Sequence, residues 1–506
     1  MVTAYRAGPI YLLITVLFLC CSPPPVDPPA RLLNFGVVSN FDSTYNPIEN
    51  NYISLQPLFR ALYSTLYRLD DNLRPVPLLL DKTIKEGRRV VFFLKPGLRF
   101  SDGSEITAED VVWSMESGIT FKIFPNTIYK LIEGGEDLFH GRSRRCAGIR
   151  ILDKRTFSIA FTKERDDYPF YFTGGNMSIL SRKPGAMGRV FSGPFKLSRE
   201  IRKADRVTVV TERNPFYIGT RSQVDRLCIH FYLRRETMDE DIHNGKLDLF
   251  LHHLHFFMPR SDTPYNYFKT PSTGGFYFLL NPTRGVFKSK AVRRFFRHFL
   301  LSLDLIKANR WGFASPATRV LPYGLPEYFL FKPLERGDPT RFAPGIPLTI
   351  QCHSLDTGIR ASIYPMIQKK LAPYQVRFEY HWTDWHDVHQ RMKTGDFDAT
   401  TVYYMLDFPL TFSFYENLFT PGHELNLMGY EHPEALDLLE RYRETTDAMS
   451  RTRILARLEE IAQEEAFFIP VIHPLALLGY KTHLKRVKIN RMLDLTFEDI
   501  QFETGH

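Results

Sequence analysis

Cysteine is scarce in this chain, with five in 506 residues, two of them adjacent at Cys20 and Cys21. The other three, Cys146, Cys228 and Cys352, are far apart and odd in number. That spacing supports neither a disulfide framework nor a zinc-ligand set. They are expected to be small buried apolar side chains. No window approaches the roughly eighteen uninterrupted apolar residues of a membrane-spanning helix, and no block of about five or six like charges occurs. Catalytic signatures are missing as well: no G-x-S-x-G elbow, no H-E-x-x-H, no P-loop and no G-x-G-x-x-G. His423-Glu424 lacks the second histidine of a zinc motif. The acidic pairs Asp70-Asp71, Glu109-Asp110 and Glu459-Glu460 are sequence neighbours whose side chains diverge, so spacing assigns none of them as acid and base. No catalytic residue and no cofactor are expected.

What is present is a large, ordinary globular composition. Apolar residues make up 44%, charged residues 24%, and the net charge is +9. A chain of this length holds two or three lobes, each with its own core. The N-terminus differs from the rest. Arg6 is the only charge before the apolar stretch Ile10 to Leu19, about half the ~20 residues needed to cross a bilayer. Cys20-Cys21-Ser22 and a proline-rich tether, Pro23 to Pro29, follow it. This layout resembles a bacterial lipoprotein signal, which implies cleavage before Cys21 and its acylation. Residues 1–21 are therefore expected to be a signal peptide and 22–30 a tether to a membrane.

In the exported body, Leu32 to Val38 reads as a first strand, Leu55 to Leu66 as a helix and Val90 to Leu94 as a buried strand. In the segment Phe100 to Met115, Asp102-Gly103 forms a tight turn and Thr107 caps a helix whose first turn carries Glu109 and Asp110. The basic segment Lys288 to Arg297 is the nearest approach to a nucleic-acid stripe. Phe295 and Phe296 fall at helical spacing with Phe299 and Leu300, so they are expected in the core with the arginines solvated outside, and no nucleic acid is expected as partner. His252, His253 and His255 invite a metal reading, but on a strand only His253 and His255 share a face, without a third ligand at a suitable offset. A polar strand edge is expected there, and no metal.

"DDNLRPVPLLLDK", then a strand, then "FFLKPGLRFSDGSEITAEDVVWSM" resembles the signature of the extracytoplasmic solute-binding proteins of the dipeptide and oligopeptide class, which serve ATP-driven (ABC) importers. The following landmarks keep the order: "SGPFKL" from Ser192, "VTVVTERNPFYIG", "VDRLCIHFY" and "HNGKLDLF". Asn281, Ala291 to Arg294, Pro322, "IQKKL", "MKTGDFDATTVYYMLDFP" and the long run from "LNLMGYEHPEALDLL" to "AFFIPVI" continue the series. The similarity covers almost all of residues 31 to 490. Ser192, where the family commonly has glycine or threonine, leaves the subfamily open.

This resemblance implies an α/β fold of two lobes that close like a Venus flytrap, with an extra subdomain. Lobe I is expected to comprise residues 31–50, 190–272 and 476–506, the extra subdomain 51–189, and lobe II 273–475. It also implies a site. In peptide-binding members an aspartate after the strand end pairs with the ligand's amino terminus, and the matching position is Asp407. Tyr403, Tyr404, Met405, Leu406, Asn46, Trp385, Asn426 and His473 are the candidate walls. Tyr404 stands where the family usually has Trp, which questions a standard peptide as ligand. The expected protein is a periplasmic, lipid-anchored monomer that captures a small peptide or peptide-like ligand and meets ABC permease subunits. A receptor for a modified peptide such as glutathione, for a cell-wall peptide or for a metal complex is the second reading, and a secreted adhesin or chaperone the third.

Overall fold

The computed structural model describes residues 31–49, 52–121, 127–220, 222–252, 264–303, 305, 314–354 and 363–503. The signal, the tether and Cys21 lie outside these residues, as do His253 and His255. Among the described residues no helix is long and apolar enough to cross a membrane.

Twelve strands form one continuous sheet, and its continuity depends on a single long element. Leu32–Val38 is held in parallel between Arg226–Tyr232 and Leu249–His252. Both of its faces are covered, which is why its sequence is an apolar run rather than an alternation. A Cβ at Gly36 would stand 2.4 Å from Leu247 Cδ1, so any larger residue there must displace that leucine. Arg206–Arg213 and Phe195–Arg202 extend this half antiparallel. The other half is built from Gly274–Leu280, Ala399–Met405, Leu348–Ser354 and Val376–Trp382.

The strand Phe468–Lys481, 14 residues long, joins the two halves. It pairs with Ala314–Pro316 up to Pro474, and with Tyr265–Pro271 from Leu475 onward. Pro474 has no N–H to leave unpaired where the partners change. A second connection, Ser272-Thr273, crosses beside it, with the Ser272 N–H donating to Pro474 O at 3.4 Å. Two adjacent crossings are what a hinge between lobes requires.

Three large cores correspond to this layout. One lies around Phe276, Phe296, Tyr364, Phe414 and Phe468. A second lies around Phe35, Phe59, Phe231 and Phe497. The third lies under a separate four-stranded antiparallel sheet, in the order Leu80–Glu86, Arg89–Leu94, Thr156–Ala160, Ile149–Asp153, and centres on Phe92, Phe157 and Phe172. The helix Ala108–Thr120 covers that sheet. The Thr107 N–H and hydroxyl both donate to the Asp110 carboxylate, at 3.0 and 2.7 Å.

The expected helix Leu55 to Leu66 ends earlier, as Gln56–Leu62, with Tyr63 extended. The reason is tertiary. Ser64 donates from its N–H to Ser192 Oγ and from its hydroxyl to Ser192 O, both at 3.0 Å, and this pulls the chain out of the helix. Leu55, Leu58, Phe59, Ala61, Leu62 and Tyr63 also belong to the second core, while Leu66 and Tyr67 belong to the third.

One expectation is corrected outright. In the helix Lys290–Ser302 the phenylalanines are buried as expected, but Arg293 and Arg297 are buried too, not solvated. The helix lies against the C-terminal end of the helix Ala448–Glu465, whose last carbonyls need donors. Arg293 donates to Glu465 O at 2.6 Å and to Glu465 Oε2 at 2.8 Å, and Arg297 donates to Gln463 O. Cys146, Cys228 and Cys352 are buried and free.

Candidate functional site

The strand Ala399–Met405 lies between Gly274–Leu280, antiparallel, and Leu348–Ser354, parallel. Its threonines, valine and tyrosines suit a pleated buried position. Strand alternation then sorts the side chains. Tyr404 and Leu406 enter the core on one face, and Tyr403 and Met405 occupy the other, half-buried. Tyr403 meets Phe276 edge-on with ring centroids 5.0 Å apart. Met405 reaches the core of the opposite half of the sheet.

Past Met405 the ladder stops. Asp407 is exposed, Phe408 is buried, and Pro409 prevents further pairing. Asp407 does not stand alone at this strand end. Burial, and then the like charge of Asp407, raise the Glu424 carboxyl well above the usual glutamate range. Glu424 nevertheless keeps an exposed surface. The surrounding protein and the neighbouring negative charge both disfavour its charged form. Burial and the charges of Glu424 and Asp407 together push the Tyr404 phenol far up.

A hydrogen-bonded chain leads away from this pair. Asn417 Nδ2 donates to Tyr404 Oη at 2.7 Å, His423 Nδ1 lies 3.3 Å from Asn417 Oδ1, and Lys130 Nζ lies 3.0 Å from His423 Nε2. An ammonium only donates, so Nε2 is the acceptor and Nδ1 carries the proton that goes to Asn417. The imidazole is therefore neutral. Burial, Lys130 and Arg443 agree with this, lowering its pKa to about 4. Tyr404 keeps its own hydroxyl hydrogen for an acceptor.

Asn46, Asn426 and His473 do not join this group. Asn46 spends its carbonyl on the Ile48 N–H at 3.1 Å in its own turn, and is buried. Asn426 is fully buried, with both amide atoms on the Tyr430 backbone at 2.7 and 2.8 Å. His473 is fully buried on the crossing strand, with Tyr328 and Tyr277 rings 5.6 and 6.3 Å away. Trp385 begins the helix Trp385–Thr394. Two cavities, of about 490 Å³ beside Arg213 and Tyr217 and about 250 Å³ beside Leu300 and Arg336, are lined by none of these residues. Among the described residues no group of three or more His, Cys, Asp and Glu could hold a metal ion.

Sequence reasoning reached Asp407 and missed Glu424, Asn417, His423 and Lys130. His423-Glu424 was visible only as a failed zinc motif, and Lys130 lies 293 residues from the histidine it binds. Chemically the strand end offers two neighbouring carboxyl groups, one of them inclined to hold a proton. That suits an incoming ammonium group.

Comparison with known proteins places the chain in a family and a fold. Residues 74–426 match the model of the bacterial extracellular solute-binding proteins, family 5, middle region. A binding protein of Brucella melitensis is 26% identical over 260 residues, a match covering 45% of this chain and only 39% of that relative's length. The dipeptide-binding protein DppE of Bacillus subtilis is 21% identical over 461 residues, covering 84% of this chain and 83% of DppE. Among solved structures, the ABC transporter-associated periplasmic binding protein DppA from Helicobacter pylori, in complex with the peptide STSA, superposes with a TM-score of 0.75 at 19% identity, over 94% of this chain and 98% of that one. The fold is that of the two-lobed periplasmic peptide-binding proteins.

Proposed function

The chain belongs to the family 5 bacterial extracellular solute-binding proteins, and from that membership we propose that it is the substrate-binding component of an ATP-driven importer, capturing oligopeptides outside the inner membrane and delivering them to the permease. The supporting observation is the strand end at Asp407, where the Glu424 carboxyl and the Tyr404 phenol feel the same charge. A peptide's amino terminus is the cation that fits. A carboxylate in a recess that loses water on closure makes a charge-assisted bond stronger than a surface pair. Tyr403, packed against the core around Phe276, and Met405, packed against the core of the opposite half, are half-buried and serve as walls beside the peptide chain. Binding then shifts an open–closed equilibrium by the difference in contacts between the two states, which is the signal a permease reads.

The same reading includes a monomer held at the membrane by a lipid on Cys21, facing the periplasm, with the lobes dividing at the two crossings beside Pro474 and Ser272. It is tested by calorimetry with tetra-alanine and its N-acetylated form. Saturable binding of the free peptide and loss of binding on acetylation are expected. Equal binding of both forms refutes the amino-terminal role, and no saturable binding across a tetrapeptide library refutes peptide capture.

A further inference from the structure

The loop that carries Asp407 is rooted in one body and buries its tip in another. Leu406 before it and Phe412 after it belong to the core around Phe276 and Phe414. Phe408, only 2% exposed, belongs instead to the core beneath the four-stranded sheet, and Leu410 packs against that same core. Its ring lies 5.1 Å from the Tyr171 ring at an interplanar angle of 63°. Polar contacts flank this apolar seat between the same two bodies: Lys130 with His423 at 3.0 Å, and Lys163 with Glu440 at 3.2 Å.

We propose that Phe408, seated on Tyr171 in the core beneath the four-stranded sheet and flanked by Lys130–His423, is the closure clasp of this protein, a positioning residue that holds the extra subdomain against lobe II while its neighbour Asp407 holds the ligand. The proposal rests on the peptide-capture reading for what closes the cleft. Its physical content is the alternation within one short loop. Residue 407 faces the recess and residue 408 faces the other body, so an ammonium drawn to Asp407 fixes the backbone that presents the ring. Conversely, withdrawing the ring on opening displaces the carboxylate. An apolar side chain that is buried only in the closed state biases the equilibrium toward closure by its burial free energy, without touching the ligand. The flanking Lys163–Glu440 pair is exposed on both sides and adds little.

The test compares wild type with Phe408→Ala and the milder Phe408→Leu and Tyr171→Leu, using a tetrapeptide library as probe and reading small-angle scattering and the dissociation rate. In wild type the library contracts the radius of gyration. In Phe408→Ala contraction is reduced and release is faster by roughly 10- to 100-fold, with association little changed. Phe408→Leu and Tyr171→Leu shift in the same direction by less. Far-UV circular dichroism establishes that each variant folds; should Phe408→Ala not fold, the two leucine variants carry the decision. Variants that contract and release as wild type does overturn the clasp and leave peptide capture standing. If the library fails to contract even the wild type, peptide capture fails, and ligand-free scattering then decides the clasp: expansion in Phe408→Ala supports it, and an unchanged curve overturns it.

Discussion

Replacing Asp407 by Asn keeps the shape of the site and removes one charge, and the cost to peptide affinity follows from how that charge is solvated. Two unit charges about 4 Å apart interact by roughly 4 kcal/mol at an effective dielectric near 20, whereas a freely solvated surface pair is worth about 0 to 1 kcal/mol. Asp407 is itself exposed. Burial and the charge of Asp407 raise the neighbouring Glu424 carboxyl, so charge at this strand end is held less well by water than on an open surface, and closure of the lobes over it strengthens the attraction for an ammonium. A loss of about 2 to 4 kcal/mol is expected, or roughly 30- to 1000-fold in Kd. The lower end applies to Asp407→Asn alone: without the like charge beside it, Glu424 ionises more readily and takes over part of the attraction. The double variant with Glu424→Gln belongs at the upper end, so the two substitutions do not combine additively. Calorimetry at neutral pH, with tetra-alanine against its N-acetylated form, reads both the loss and its source. Affinity within about threefold of wild type for Asp407→Asn, or an equal loss for the acetylated peptide, would refute this reasoning.

Other outcomes are equally open to measurement. His423 is held neutral, its pKa lowered from 6.5 to about 4 by burial, then by Lys130 and Arg443. When the lobes part it regains its ordinary value, so the open state takes up a proton first as pH falls. The contact with Lys130 is intact above about pH 6.5 and weakens toward pH 4, and scattering of the loaded protein should expand across that interval and less so in His423→Asn. Glu459 is fully buried and accepts from the Val320 and Leu321 N–H groups at 2.8 and 3.1 Å and from Tyr415 Oη at 2.8 Å. Glu459→Ala strands those donors and should destabilise the chain by about 3 kcal/mol or more, read as a fall in the denaturant midpoint. Cys21→Ser should move the protein from the membrane pellet to the soluble fraction, and continued sedimentation with membranes would count against the lipid anchor.

Much of the framework was legible in the chain itself. Leu32–Val38 formed as a strand because its apolar run suits burial on both faces, and Thr107 with Asp110 capped a helix because those side chains satisfy its first donors locally. Motif order pointed to the two-lobed architecture and to Asp407. Where the reading failed, a distant partner had overridden a local preference. The expected helix through Leu66 stopped at Leu62 to meet Ser192. Arg293 and Arg297 turned inward because another helix brought its bare carbonyls to them.

The sequence by itself determined the elements, the family resemblance and one carboxylate, since these depend on periodicity, caps and ordered motifs that neighbouring residues carry. Only the tertiary structure decided that Glu424 lies beside Asp407, that Lys130 reaches His423 across 293 residues, and that Phe408 joins a different core from Leu406 and Phe412. Hydrophobic burial and charge act through space, and the folding of the chain back through Pro474 and Ser272 sets which distant residues come close enough to feel them.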